Sequence, residues 1–395
     1  MRRVYLDHSA TTPVDPEVAD LMMTYYTEKY GNPSSVHSFG REAKQALEEA
    51  RRQVAELIGA APSEITFTSG GTEADNLAIL GTAEALRQKG KHIITSAVEH
   101  HAVLETCEYL EKNGFALTII PVDDEGIISV EAIKEAIRPD TILITIMHAN
   151  NEVGSIQPIA EIGKLAKEHG ITFHVDAVQS CGKIPINVQK MNVDLLTVSS
   201  HKIYGPKGVG ALYIRKGVRV VPLVHGGGQE KKRRSGTENT PGIIGFGKAC
   251  ELASQRMAQD AQQQIKLRDK LMNGILQKID FVKINGPRGE KRLPNNVNVS
   301  IQFVEGESLL LSLDMLGIAA SSGSACTSGS LDPSHVLLAM GLVHEIAHGS
   351  LRFTLGRQNT EDDIDYVLEQ LPRIVERLRM MSPLYDKAIH APKAQ

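Results

Sequence analysis

Four short runs in this sequence pair reactive residues with the backbone they would need. In TSGGTEADN (68–76), Gly70 and Gly71 separate a β-rich run, Ile65–Thr68, from a stretch that turns helical at Glu73. Such glycines let the main chain approach an anion, and the free N–H groups of a starting helix favour a phosphate. The same residues would also make an ordinary strand-to-helix turn capped by Thr72. In FHVDAVQ (173–179) a buried strand delivers Asp176 at its carboxyl end. A carboxylate there needs a cation, such as a protonated pyridine nitrogen, or a helix to cap. In SSHKIYGPKG (199–208) Lys202 follows another strand, and desolvation there would lower its amine toward the range that suits a Schiff base. Lys207 competes, but between Pro206 and Gly208 it reads as a turn lysine in solvent. In SSGSACTSGS (321–330) Cys326 stands among small residues, which suits an accessible thiol on a mobile loop better than a packed one. Cys250 and Cys107 sit in more apolar runs and read as core.

A phosphate cradle, a strand-end aspartate and a later strand-end lysine are together the three anchors of a pyridoxal-phosphate (PLP) site. The elements around them support that order. Residues 42–58 place Ala46, Ala50, Val54, Leu57 and Ile58 on one helical face. Strand-like runs follow at His92–Thr95, Leu117–Val122, Thr141–Met147, Ile171–Val175, Leu195–Ser199 and Val209–Ile214. Helical runs at Ala102–Leu110, Val130–Ile137 and Ile159–Lys167 alternate with them. TILITIM at 141–147 is apolar apart from its threonines, as a strand covered on both faces must be. Alternation of this kind predicts an α/β fold with a mostly parallel sheet and its ligand site beyond the carboxyl ends of the strands.

After Pro241 the pattern changes. A long helical stretch runs to about Ile279, then an alternating strand at Asn295–Phe303, and a closing helix near Asp362–Arg379, with a polar, frayed tail from Pro383. The expected organisation is an N-terminal segment (1–14) packing with the small domain, a large PLP-binding domain (15–257) and a smaller α+β domain (258–395). The 395 residues carry a net charge of −4, with 42% hydrophobic and 23% charged residues, so neither disorder nor a field for nucleic acid is implied. No signal-like apolar run follows the N-terminal arginines, and no stretch reaches the roughly 18 apolar residues of a membrane span. The four cysteines are scattered without a CxxC pair, which argues against a disulfide framework or zinc site and makes a reducing cytoplasm the expectation. The basic run Lys231–Arg234 reads as a solvated loop at a dimer edge, with docking of an acidic partner as the other reading.

Over nearly its whole length the chain resembles the NifS/IscS-type cysteine desulfurases, within the class V aminotransferase-like PLP enzymes. The marks are YLDHSATTP (5–13), GNPSS (31–35), TSGGTEADN (68–76), EHHAV (99–103), HANNEVG (148–154), HVDAVQ (174–179), SSHKIYGPKG (199–208), RRSGTEN (233–239), SSGSACTSGS (321–330) and LRFTLGR (351–357). SSGSAC followed by PSHVL (333–337) resembles the group with a longer mobile cysteine loop rather than the selenocysteine-lyase-like branch.

The resemblance implies the type I fold of PLP-dependent transferases, with a seven-stranded-type sheet, and removal of sulfur from L-cysteine to leave L-alanine and a persulfide on Cys326. Lys202 would carry PLP, Asp176 would pair with its pyridine nitrogen, and His100 would stack on the ring and be a candidate to move protons. Gln179 would contact the ring oxygen, with Asn151 near it and the substrate. Gly71, Thr72, Ser199 and His201 would bind phosphate. Thr237 would reach the phosphate of a neighbouring subunit, implying a homodimer. Arg352, helped by Asn32, would take the substrate carboxylate. The choices of His100 over His101, Asn151 over Asn150 and Arg352 over Arg357 rest on the resemblance. The sulfur would pass to an acceptor such as an iron–sulfur scaffold protein. An aminotransferase, a selenocysteine lyase or a kynureninase-like hydrolase on the same fold, and a scaffold on a dead site, are the rival readings. Cys326 speaks against the first group, and the full set of site residues against the last.

Overall fold

The computed structural model describes residues 2–322 and 333–390; Cys326 lies outside the described residues. A short strand β1 (Val4–Tyr5) precedes helices α1 (Pro16–Thr27) and α2 (Ser38–Ile58). Strands and helices then alternate: β2 (Ile65–Thr68), α3 (Gly71–Leu86), β3 (His92–Ser96), α4 (His101–Lys112), β4 (Ala116–Ile120), α5 (Val130–Ala136), β5 (Thr141–Met147), α6 (Ile159–Glu168), β6 (Thr172–Asp176), β7 (Leu195–Ser199) and β8 (Gly210–Ile214). The long α7 (Thr240–Lys278) leads to β9 (Val282–Ile284), β10 (Asn296–Ile301), α8 (Gly306–Asp314) and β11 (Ile318–Ala319). Beyond the cysteine segment come α9 (His335–Ala339), α10 (His344–His348), β12 (Ser350–Thr354), α11 (Glu361–Arg379) and α12 (Pro383–His390).

The main sheet has seven strands in the order β2-β8-β7-β6-β5-β3-β4. All its pairings are parallel except those of β8, which runs against β7 and β2. A reversed β8 was not expected; it lets a short connection carry Lys202 off β7 and return the chain directly beside it. Register aligns Met147 with Asp176 and Asp176 with Thr197, so β5 and β6 end level and β7 runs two residues further.

The two largest apolar clusters organise the fold. One lies between the main sheet and its helices, around Ile144, Phe173, Val175, Leu196 and Val198. The other joins Leu6, Val297, Val299, Phe353, Ile364 and Leu371. Helix α7 serves both: Ile243, Phe246 and Cys250 enter the first, Leu267, Leu271 and Ile275 the second. Its start is fixed by the Asn239 side chain, which accepts from the Gly242 N–H at 3.2 Å, and by Pro241 in its first turn. Leu271 is fully buried, so Leu271→Ala would cost about 2–5 kcal/mol and loosen the second core.

Small differences from the sequence-based boundaries have local causes. Helix α3 starts at Gly71, before the expected residue, with Gly70 as its cap; a Cβ on Gly71 would lie 2.9 Å from Val178 Cγ2. Strand β6 runs one residue later than expected, which makes Asp176 its last residue. The tail from Pro383 is helical to His390 rather than frayed, since Tyr385 packs on Phe303 and Phe281 at ring distances of 5.8 and 6.3 Å.

Candidate active site

The ends of β2, β3, β5, β6 and β7 open onto one cavity of about 340 Å³, a volume suited to a small cofactor and substrate. From β2 and the start of α3 come Gly71 and Thr72, whose main-chain N–H groups have no place in the helix ladder and so remain to bind an anion. Ser199 and His201 face them from the end of β7.

Lys202 ends the 3₁₀ turn that leaves β7. Its Nζ donates to the main-chain oxygens of Ser9 and, at 2.8 Å, Ala10. The N-terminal segment therefore holds the amine at the cavity wall. Asp176 is buried, and its Oδ1 accepts from the Val178 N–H at 2.9 Å. Burial pushes this carboxyl up to about 6, against the pull of that N–H and of Lys202. Gln179 is fixed by two bonds: its Nε2 donates to Ser9 O at 3.0 Å, and its Oε1 accepts from Lys183 at 3.1 Å.

His100 caps α4: its Nδ1 accepts from the Ala102 N–H at 3.1 Å. With Nδ1 an acceptor, the neutral ring carries its proton on Nε2. Burial, and next Lys202, depress its pKa to about 4, so the ring is neutral at physiological pH. His101 instead stacks on His335 with centroids 4.8 Å apart and does not line the cavity. Asn150 is spent on structure, its Oδ1 accepting from the Glu152 and Val153 N–H groups, whereas Asn151 lines the cavity. Arg352, 2% exposed, lines the cavity, donating to Asp7 Oδ1 at 3.0 Å and to Asn151 O at 3.1 Å. Arg357 lies elsewhere, bonded to Asp15 and Asp260 and stacked 3.9 Å over Tyr204.

Not every expected residue joins this set. Asn32 sits on an exposed loop, its Oδ1 taken by the Ser34 N–H at 2.9 Å, and Thr237 is exposed; neither lines the cavity. Lys207 is exposed, as its turn context implied. The Lys231–Arg234 run is less solvated than a free loop. Arg234 pairs with Glu73 at 2.8 Å, Arg233 is partly buried, and the neighbouring Glu230 is buried against Arg51 at 2.7 Å.

Three carboxyl groups went unnoticed in the sequence. Asp75 lines the cavity one helical turn beyond Gly71; burial, and then Asp176, drive its carboxyl well up, while Thr197 donates to it. Its place four residues after Gly71 in a mostly apolar helix was the available signal. Glu99, fully buried, accepts from Ser96 Oγ and from the Met147 N–H at 3.0 Å, and burial raises it to about 8. Glu152, beside Asn151, accepts from the Ser334 hydroxyl and is raised by burial to about 7.

The cavity matches a flat ring bearing a phosphate. Ser9 Oγ, Asp75 Oδ1, Ser199 Oγ and Arg352 Nε are buried without hydrogen-bond partners, and all four residues border it. A phosphate gives Ser199 and the first N–H groups of α3 their acceptors, a ring cation gives Asp176 its counter-charge, and a substrate carboxylate suits Arg352.

Comparison with known proteins agrees. The family model described as aminotransferase class-V matches residues 4–367. The chain is 57% identical over 382 residues to a protein named cysteine desulfurase IscS from Dictyoglomus turgidum, covering 97% of each. It is 58% identical over 386 residues to one of that name from Methanosarcina thermophila, covering 98% of this chain and 95% of the relative. Among solved structures, one titled NifS-like protein superposes with a TM-score of 0.90 at 43% identity, covering 95% of this chain and all of that one. Another, titled SspA in complex with cysteine, gives 0.80 at 40% identity over 90% of this chain and all of that one.

Proposed function

Because the chain belongs to the class-V aminotransferase family and, within it, to the PLP-dependent cysteine desulfurases, we propose that Cys326 collects the sulfur of L-cysteine as a persulfide at the cavity of Lys202. When bound, PLP supplies a protonated pyridine that draws off the electrons of the substrate's broken Cα–H bond. Asp176 keeps that pyridine charged, and Lys202 holds the cofactor. Gly71, Thr72, Ser199 and His201 bind its phosphate, while Gln179 and Asn151 address the ring oxygen.

Arg352 orients the substrate by its carboxylate, with Asp7 and Asn151 O fixing the guanidinium. Lys202, which would hold the cofactor, would also carry the substrate α-proton when released. His100 is suited to lie on the ring and donate from Nε2, not to serve as the base, since its Nδ1 is engaged and its pKa is near 4. Cys326 then attacks as thiolate: the new S–S bond forms as the substrate Cβ–S bond breaks, its electron pair staying with carbon, which is protonated to alanine.

The single observation that carries the cysteine assignment is how its segment is rooted. Ser321 pairs main chain to main chain with Arg352, and Ser334 bonds Glu152 next to Asn151, so the described residues on either side of the cysteine segment are tied beside two cavity residues. The three other cysteines are buried, and burial pushes the Cys181 thiol up to about 12 and raises Cys107 and Cys250 as well.

Thr237, exposed and outside its own chain's cavity, supports a homodimer in which it completes the partner's phosphate site. The acceptor we assign is an iron–sulfur scaffold protein, on the likeness to relatives named IscS. We also keep the division at 15–257 and 258–395, which falls where α7 passes from one core to the other. Among the described residues no helix is long and apolar enough to cross a membrane, and a cytoplasmic site of action is our reading.

The test is to incubate the PLP-loaded protein and its Cys326→Ala variant with L-cysteine under a reducing thiol. Equimolar alanine and sulfide, lost in the variant while the visible cofactor band remains, is the expected result. Full turnover in Cys326→Ala overturns the assignment.

A further inference from the structure

We propose that Lys183 is a positioning residue for the cofactor: it fixes the Gln179 amide with its NH₂ toward the cavity, and it places a second cation beside Lys202. The inference deepens the function above and rests on Gln179 contacting the cofactor's ring oxygen.

After β6 the chain coils tightly. Ser180 and Cys181 N–H donate to Ala177 O at 3.1 and 2.9 Å, and Lys183 N–H to Ser180 O at 3.0 Å, which brings residues 179 and 183 to the same side. Lys183 Nζ then lies 3.1 Å from Gln179 Oε1. Ser9 O can only accept, so the atom bonded to it is the amide NH₂, and Lys183 Nζ therefore meets the amide oxygen, to which it donates in either protonation state. One of its two hydrogens goes to Ser9 O at 3.0 Å. The second is left for the cavity, where it can donate to an anionic ring oxygen. A flipped amide would set a carbonyl oxygen against that anion and lose the bond to Ser9 as well.

The surroundings make Lys183 an electrostatic partner too. Lys183 and Lys202 together line a second, small cavity of about 20 Å³, room for about one water, with His8 and Asp260 also on its wall. Burial, then Lys202, and more weakly Arg352, bring the Lys183 amine down to about 7, opposed by Cys181. Lys183 in turn contributes to depressing His8 and His201, each to about 4.

A nearby cation and a donor to the ring oxygen both disfavour protonation of the cofactor–lysine link, so losing them raises the pH at which it titrates. The experiment records the visible absorbance of the holoenzyme against pH, without substrate, for wild type, Lys183→Met, Lys183→Gln and Gln179→Leu. The expected midpoint rises by about one unit in Lys183→Met, by less in Lys183→Gln, which keeps a donor without the charge, and also in Gln179→Leu. A merely structural lysine would lower the melting temperature without moving the midpoint. Midpoints unchanged in both Lys183 variants, with Gln179→Leu shifted, overturn the inference while the Gln179 assignment stands. No shift in any variant overturns both.

Discussion

Ser321 and Arg352 exchange both main-chain hydrogen bonds, Ser321 N–H to Arg352 O at 3.1 Å and Arg352 N–H to Ser321 O at 2.6 Å. The residue that aims a guanidinium into the cavity is thus also the one from which the cysteine-bearing segment departs. Cys326 lies only five residues beyond Ser321, a reach of at most about 18 Å. In the proposed reaction, substrate carboxylate and attacking thiol are thus referenced to one point of the backbone.

Replacing Arg352 by lysine keeps the charge but loses the two-pronged geometry. A charge-assisted hydrogen bond contributes about 1.5–3 kcal/mol, so kcat/KM for L-cysteine should fall roughly 10- to 100-fold, mainly through KM. The visible cofactor band should be unchanged. Steady-state kinetics on Arg352→Lys check this, and a KM within twofold of wild type refutes it.

Asp75 and Asp176 should respond oppositely to amidation. Burial, and then Asp176, push the Asp75 carboxyl well up toward the neutral form, which asparagine copies. Asp75→Asn should bind PLP and keep activity within about fivefold. Asp176→Asn strips a buried cation of its partner at about 3 kcal/mol or more, a loss of at least about a hundredfold in kcat. Equal losses in the two variants would remove the distinction drawn between them.

Glu99 offers a pH test of the fold. Its folded pKa of about 8 exceeds the ordinary 4.5, burial being the main cause. A carboxyl raised in this way stabilises fully below 4.5 and loses that contribution as pH rises through 8. Glu99→Gln, fixed in the neutral form, escapes the loss. Urea midpoints at pH 6 and pH 9 should show the variant gaining on wild type as pH rises; a difference independent of pH rules it out.

Ser334 both caps α9, accepting from the Leu337 N–H at 3.1 Å, and satisfies the Glu152 carboxyl. Ser334→Ala should cost about 1 kcal/mol for the cap and free one root of the cysteine segment. Persulfide formation on Cys326 should slow while the spectral titration with cysteine stays in place. Loss of cysteine binding itself would show the residue to act elsewhere.

The parts of this site legible in the sequence are those fixed by short-range rules. Asp176 and Lys202 follow apolar strand runs, and Gly70–Gly71 break one element before the next, so their strand-end positions could be read directly. What escaped is set by contacts distant in sequence. The carbonyls of Ser9 and Ala10 that hold Lys202, about 190 residues away, carry no side-chain signal at all. Glu99 and Asp75 look like ordinary surface acids until the sheet closes over them. The antiparallel β8 has the same apolar composition as its parallel neighbours, so composition could not reveal its direction. Residue types alone did not separate Arg352 from Arg357, which lie in one run; the bonds of Arg357 to Asp15 and Asp260 show it committed away from the cavity.

The binding of the first residues to the last strands has a consequence for synthesis. Leu6 O accepts from the Thr354 N–H at 2.7 Å, the His8 N–H donates back to Thr354 O at 3.2 Å, and the Ser9 N–H reaches Thr354 Oγ1 at 2.8 Å. The stretch that pins Lys202 is thus itself pinned by β12, which leaves the ribosome some 350 residues later, roughly 20–70 s at ordinary elongation rates. The seven-stranded sheet can assemble meanwhile, with Thr12 bonded to His201 O and to the Tyr204 N–H and Ser9 O to Gln179, but the ties of Leu6, His8 and Ser9 to Thr354 must wait. The cavity is therefore complete only once β12 has emerged, since Arg352, which lines it, lies on that strand.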